Sequence, residues 1–140
     1  MLETVREFGQ EQLAASGEER PVRERHAVFF RDLANQTGEA WLGPRYAAWM
    51  DRLERERGNL RAALGWLVAE GRAEFALQFS CALHYFWRAR GPVGEALDWF
   101  ARIDALSAPV SDRPRIDALV VAGDLATVGG NTALALGRLA

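Results

Sequence analysis

The sequence predicts an all-α protein built from antiparallel helical hairpins. Apolar residues recur at i, i+3, i+4 and i+7 through most of the 140 residues, which is the period of an amphipathic helix. Glycine and proline interrupt this pattern at short intervals, as at Gly71 and at Gly91-Pro92. No stretch alternates apolar and polar residues for long enough to predict a strand. Helices joined by short turns favour hairpins that either close as a bundle or stack as a solenoid.

The clearest pair of helical patterns lies between Trp49 and Glu70. The first pattern includes Trp49 and Leu53, and the second repeats from Leu60 to Val68. Between them, Gly58 is expected to end one helix in the left-handed conformation, and Asn59 to accept a hydrogen bond from the N–H groups that begin the next.

Turn residues place the other helices. They are expected at residues 2–16, from Pro21 to Gly38, from Pro44, at 73–90, at 92–106, at 114–128 and from residue 131 onward. Residues 73–90 are apolar on more than one side, which predicts an inner helix packed against neighbours on two sides. The first and last helices have no cap residues, so we expect the chain to have been cut from a longer one.

A possible repeat decides between bundle and solenoid. The glycine turn at Gly91-Pro92 recurs at Gly129-Gly130, 38 residues later, against a tetratricopeptide period of ~34 residues. Together with the hairpins, this spacing favours a fragment of a tetratricopeptide-like, right-handed α-solenoid.

Composition narrows the classes of function. All 17 basic residues are arginine, which excludes any mechanism that needs a lysine amine. The net charge of −2 gives no general attraction to nucleic acid, so direct nucleic-acid binding is not expected. No apolar run approaches the ~20 residues of a membrane helix, and the acidic start lacks the features of a secretory signal, which predicts a cytoplasmic protein without a membrane contact. Cys81 is the one cysteine and is expected to be a buried, inert thiol.

Candidate catalytic and metal-binding groups are sparse. His26 and His84 are the two histidines, and neither belongs to an H-x-x-x-H or C-x-x-C pattern. Ser80, Cys81 and His84 lie close on one predicted helix, but no third residue orients the histidine and no glycine-rich turn offers an oxyanion hole. We therefore predict no catalytic, metal-binding or cofactor-binding residue in this chain.

Aromatic and arginine residues suggest a partner-binding groove. Trp87 ends the inner helix beside Arg88 and Arg90, and Trp99 lies off the main apolar stripe of its helix. An aromatic floor with an arginine rim is a common arrangement for recognition. The predicted partner-binding residues are His84, Trp87, Arg88, Arg90 and Trp99.

Four segments resemble a known family. They are L-E-T-V-R-E-F with E-Q-L-A-A-S-G-E, R-H-A-V-F-F-R-D-L-A, W-M-D-R-L-E-R-E-R-G-N-L-R-A-A-L-G-W, and A-L-H-Y-F-W-R-A-R-G. This sequence resembles the region after the ATPase core in bacterial STAND-type (NB-ARC-like) signalling ATPases, which include LuxR-like transcriptional regulators. Leu53 to Trp66 is the most specific part. Arg57-Gly58 departs from the His-Asp or similar pair that the family more often has there.

The resemblance implies a division of the chain and a function. Residues 1–18 would be the tail of a winged-helix segment, 19–71 a helical linker and 72–140 the start of a tetratricopeptide-like array. The family's nucleotide-binding residues match nothing in this sequence, so ATP is expected only in an upstream module of the parent protein. The expected function is a non-catalytic sensor or scaffold that contacts other domains of the parent and binds a protein or small-molecule signal. Self-association through the cut ends is also expected.

An alternative from a different class remains open. The chain could be a free-standing adaptor that binds a partner helix or peptide with no ATPase attached.

Overall fold

The protein is all helical in the part of the chain that the structure, a computed structural model, describes, namely residues 19–40 and 42–129. This confirms the predicted all-α class. The helices of this part are α1 (Glu19–Glu39), α2 (Tyr46–Arg55), α3 (Arg57–Ala69), α4 (Ala73–Ala82), α5 (His84–Arg90), α6 (Val93–Asp104) and α7 (Asp112–Val128). The helices predicted at 2–16 and from 131 onward lie outside the described residues.

The junction between α2 and α3 differs from the sequence prediction. The break falls at Glu56, whose φ of −94° and ψ of 7° interrupt the helix for one residue, and Gly58 lies inside α3. The predicted left-handed Gly58 and the Asn59 cap are therefore wrong. Asn59 instead donates from Nδ2 to Glu56 Oε2 at 2.7 Å. Because the Glu56 conformation is open to any residue, this junction does not need a glycine.

Gly71 ends α3 as predicted. Its φ is +69°, a conformation that glycine adopts without steric cost. The N–H of Arg72 donates to Leu67 O at 2.8 Å and that of Gly71 to Val68 O at 3.0 Å. These two bonds make a Schellman motif, which satisfies carbonyl groups at the end of the helix.

Residues 73–90, predicted as one helix, form the two helices α4 and α5. They meet at Leu83, which is fully buried and has a φ of −87° and a ψ of 8°. The predicted inner position is confirmed for α4, which contacts α1, α3, α6 and α7. The turn at Leu83 lets α5 reach α2 on one side while it still contacts α7.

The helices pack as two neighbouring hairpins. Helix α3 packs on α4, and α6 packs on α7. Across the two hairpins α3 contacts α6, and α4 contacts both α6 and α7, while α1 covers the other side of α3 and α4. This order of contacts is compatible with stacked hairpins; a right-handed, tetratricopeptide-like superhelix stays a prediction.

Large apolar side chains from the hairpins and from the α2–α3 region form one continuous core. Among the most buried are Met50, Leu53, Leu60, Leu64, Leu67, Phe79, Leu83, Phe86, Trp87 and Leu125. Alanines share this core with them, including Ala76 of α4, Ala96 of α6 and Ala122 of α7. Such small residues let neighbouring helix backbones approach closely.

Removal of the Phe79 ring tests the central place of α4. Phe79 is fully buried, so Phe79→Ala should lower the free energy of unfolding by about 3–5 kcal/mol because it leaves a cavity. Ile116→Ala is the matched control, since Ile116 is 55% exposed, and it should change stability by no more than about 0.5 kcal/mol. Urea unfolding followed by circular dichroism measures both, and equal effects of the two changes would contradict this packing.

His26 gives a second test through pH. Its ring packs on Phe30 at 4.7 Å between centroids. Burial lowers the pKa of His26 below 6.5, although a hydrogen bond with Asn59 acts in the opposite direction. The unfolded chain therefore binds a proton more readily, so the stability due to neutral His26 is present above pH ~6.5 and is lost as the pH falls toward and through the lowered value.

The comparison of wild type with His26→Gln isolates this effect. The urea midpoint of the wild type should fall more steeply between pH 7.5 and 5.5 than that of the variant. Parallel pH profiles of the two proteins would show that His26 is not the group responsible.

Candidate binding surface and cavity

His84 and Arg88 meet at one carboxylate. His84, at the start of α5, places Nε2 2.7 Å from Asp124 Oδ2, and Arg88 Nη1 donates to both oxygens of Asp124 at 2.6 Å. These three contacts join α5 to α7. The Arg88 guanidinium and, to a smaller extent, His84 lower the pKa of Asp124, although partial burial opposes them. The His84 ring also stacks on Tyr85, with centroids 4.9 Å apart.

Arg90 pairs on the opposite side of α5. Its Nη2 donates to Asp51 Oδ1 at 2.8 Å, and its Nη1 lies 3.7 Å from Glu54 Oε2, so it joins α5 to α2. Arg57 completes this group, because it donates to Glu54 and, at 2.7 Å, to the carbonyl oxygen of Gly91. The guanidinium of Arg57 lies 4.8 Å from the centroid of the Phe86 ring.

The two predicted tryptophans are core residues. Trp87 is 1% exposed and Trp99 is 7% exposed, so neither forms an open aromatic floor. Arg102 covers Trp99 from outside, with its guanidinium carbon 5.0 Å from the ring centroid. The structure thus brings His84 and Arg88 together, directs Arg90 elsewhere and buries Trp87 and Trp99. Partner binding by these five residues stays a prediction.

Other arginines also pair between helices. Arg61 of α3 donates to both carboxylate oxygens of Glu95 in α6, at 2.6 and 2.8 Å. Arg72 donates in the same way to Glu24 of α1, at 2.6 and 3.0 Å. These pairs lower the pKa of each glutamate, with the hydrogen bond from arginine as the largest cause. The sequence analysis missed them, because the partners are 34 and 48 residues apart in the sequence and no local pattern links them.

A cavity of about 680 Å³ lies between α4, α6 and α7. Its fourth side is the loop that joins α6 to α7. Leu77, Phe100, Ile103, Asp104, Ser107, Ala108, Val110, Arg115, Ala118 and Leu119 line it. Seven of these ten residues have apolar side chains, and one cation and one anion, Arg115 and Asp104, are also among them. Sequence reasoning did not find this cavity.

The loop over the cavity is tied down at several points. The N–H of Ser111 donates to Glu74 Oε1 of α4 at 2.8 Å, which also lowers the pKa of Glu74. Arg115 Nη2 donates to Val110 O at 3.1 Å. Ser107 has a φ of +51°, an uncommon conformation for a residue with a side chain, and its N–H donates to Asp104 O at 3.2 Å. Strained residues of this kind cluster at binding sites.

Of the groups considered for catalysis, Ser80 is buried in α4, while Cys81 and His84 are partly buried. Burial raises the pKa of Cys81 to about 12, so its thiol stays protonated at neutral pH. No three His, Cys, Asp or Glu residues of the described ranges are grouped so that they could hold a metal ion. Likewise, none of the described helices has the length and apolarity to cross a membrane.

Comparison with known proteins finds a similarity to transcriptional regulators. The chain is 35% identical over 103 residues to proteins named as HTH-type transcriptional regulators, from Mycobacterium bovis and from two strains of Mycobacterium tuberculosis. It resembles part of a transcriptional regulator. The match covers 74% of this chain and spans 12% of the length of each relative. No model of a protein family matches the chain, and no solved structure matches it significantly.

Asp124→Asn tests the junction of α5 with α7. The change keeps the shape of the side chain but removes the charge that faces Arg88 and His84, so the free energy of unfolding at pH 7 should fall by about 1–2 kcal/mol. Asp117→Asn is the control on the same helix, because Asp117 pairs with the exposed Arg113 four residues away and should contribute no more than about 0.5 kcal/mol.

The pH dependence of stability gives a second test of the Asp124 contacts. The pKa of Asp124 is lowered from 3.8 in the folded protein, so its contribution is present above that value and is lost as the pH falls through the lowered one. The difference in the free energy of unfolding between wild type and Asp124→Asn should therefore shrink in acid. The role of the Asp124 contacts would be contradicted if Asp124→Asn did not lower the free energy of unfolding at pH 7. It would also be contradicted if Asp124→Asn and Asp117→Asn lowered it equally.

Proposed function

We propose that this chain is a non-catalytic helical region of a multidomain transcriptional regulator, where it binds a protein or small-molecule signal. The observation that carries the proposal is the similarity over 103 residues to HTH-type regulators. Because the match spans 12% of each relative, the regulatory activity belongs to a larger protein in this proposal. The similarity to such long regulators favours this role over that of a free-standing adaptor.

The proposed architecture is the start of a tetratricopeptide-like array in a STAND-type signalling ATPase. The contacts between successive hairpins support it, as does the resemblance of Leu53 to Trp66 to that family. In the parent protein, a signal that bound one state better than another would shift the equilibrium between closed and open forms. Nucleotide binding and DNA binding would then be functions of other domains.

The state of the candidate catalytic and phosphate-binding side chains supports a non-catalytic role. The Cys81 thiol is protonated, and Ser80 is buried. His84 is engaged by Asp124. Arg61, Arg72 and other arginines that could contact phosphates are instead paired with carboxylates.

A transcript profile tests the regulatory role. In the organism that encodes this chain, a chromosomal Leu64→Asp allele places a charge in the core of α3 and should alter the transcript levels of a defined set of genes. Arg113→Gln, at an exposed position of α7, should leave the profile as in the wild type. If both alleles give the wild-type profile while the Leu64→Asp product remains present in immunoblots, the proposed regulatory role is wrong.

Direct DNA binding by the chain is a separate question, because the named relatives are HTH-type regulators. The chain alone should not bind a mixed-sequence DNA duplex at 150 mM salt, since its net charge is −2 and phosphate neutralisation dominates such binding. Fluorescence anisotropy measures this. Binding in the micromolar range, weakened by added salt, would assign a DNA contact to this chain.

A further inference from the structure

We propose that the cavity between α4, α6 and α7 binds a small zwitterion with an apolar body, that is, an apolar amino acid or a short apolar peptide. The inference rests on the proposed function, because it gives the chemical class of the signal. The cavity holds about 680 Å³, which lies in the range of roughly 300–1,000 Å³ typical of small-molecule sites.

The lining of the cavity selects an apolar body. Leu77 of α4, Phe100 and Ile103 of α6, and Ala118 of α7 are buried residues with apolar side chains, and they contribute to its walls. Leu119 of α7 also lines it and is partly exposed. An aliphatic or aromatic group placed against these walls would leave water, which is the main favourable contribution to binding in such a site.

Two charges of opposite sign line the same cavity, and neither is paired with an opposite charge in the described part of the chain. Asp104 ends α6 and Arg115 lies in the first turns of α7. Neither side chain pairs with an oppositely charged residue in the described part of the chain, whereas Arg57, Arg61, Arg72, Arg88 and Arg90 all do. The side chain of Arg115 donates to Val110 O. Since a guanidinium has five N–H donors, others remain for a ligand.

These two residues offer one partner of opposite charge to each end of a zwitterion. A ligand carboxylate would accept from Arg115, and a ligand ammonium would donate to Asp104. The neighbouring groove between α1, α4 and α7 lacks this property, because its arginines Arg31 and Arg113 are already paired with Asp32 and Asp117.

The loop is held in place before a ligand arrives. Ser111 is tied to Glu74, and Val110 to Arg115. Ser107, with its φ of +51°, is held in a strained conformation where it lines the cavity. A loop that is already ordered lowers the entropic cost of binding.

Isothermal titration calorimetry of the 140-residue chain tests the proposal with L-leucine and L-leucyl-L-leucine. At least one of them should bind, and three analogues should each bind at least about tenfold more weakly than L-leucine or the dipeptide. L-leucinamide lacks the carboxylate, 4-methylpentanoate lacks the ammonium and glycine lacks the apolar body.

Two variants test which protein side chain binds which end of the ligand. Arg115→Gln should weaken binding of the zwitterion about tenfold or more but leave the affinity for leucinamide unchanged, because leucinamide has no carboxylate to lose its partner. Asp104→Asn should do the same with 4-methylpentanoate as the unaffected ligand. Arg113→Gln and Asp98→Asn are the controls, on the same two helices but outside the lining of the cavity, and should bind as the wild type does.

Absence of binding by every probe up to about 10 mM would overturn the proposal. Binding that Arg115→Gln and Asp104→Asn leave unchanged would overturn it as well. Either result leaves the transcript experiment untouched, so a failure of the ligand class is distinct from a failure of the regulatory role. If the Leu64→Asp transcript profile changes while no probe binds, the signal belongs to a class other than small zwitterions.

Discussion

Helix α4 must be covered on several sides, and the arrangement of the other helices follows from that need. Of its ten residues, five are buried, four are partly buried and Gln78 alone is exposed. A helix of this kind is stable in water only when neighbours remove its apolar surface from solvent. Helices α1 and α3 cover it on one side, and α6 and α7 on the other. The hairpin of α6 and α7 is joined to that of α3 and α4 because it packs on this one inner helix.

Arginine–carboxylate pairs set the orientation of helices that apolar packing alone leaves free to slide. The bidentate bonds from Arg61 to Glu95 and from Arg72 to Glu24 each require one alignment of two helices. Their contribution to stability is small where they are exposed, so their main effect is on register. A chain whose basic residues are all arginine is suited to such planar, two-point contacts.

The sequence predicts those features of this fold that depend on local patterns, and it fails where a feature depends on distant partners. Gly71 and the inner position of α4 were predictable, because a left-handed turn requires glycine and a helix that is apolar on several sides requires cover. The breaks at Glu56 and Leu83 were not, since any residue can adopt their conformations. Helical periodicity also could not show that Trp87 is covered, or that the partner of Arg88 lies 36 residues away. The cavity is lined by residues of three helices and a loop, including Ser107 with its positive φ, and no local pattern brings these together.

Hydrogen exchange followed by mass spectrometry tests the central claim about α4 most directly. If α4 is the shared inner helix, its amides should exchange only when the whole domain unfolds, and they should be the slowest in the chain. The amides of α2, which packs on fewer neighbours, should exchange faster through local opening. The account would be contradicted if the amides of α4 exchanged as fast as those of α2, with much less protection than global unfolding would give.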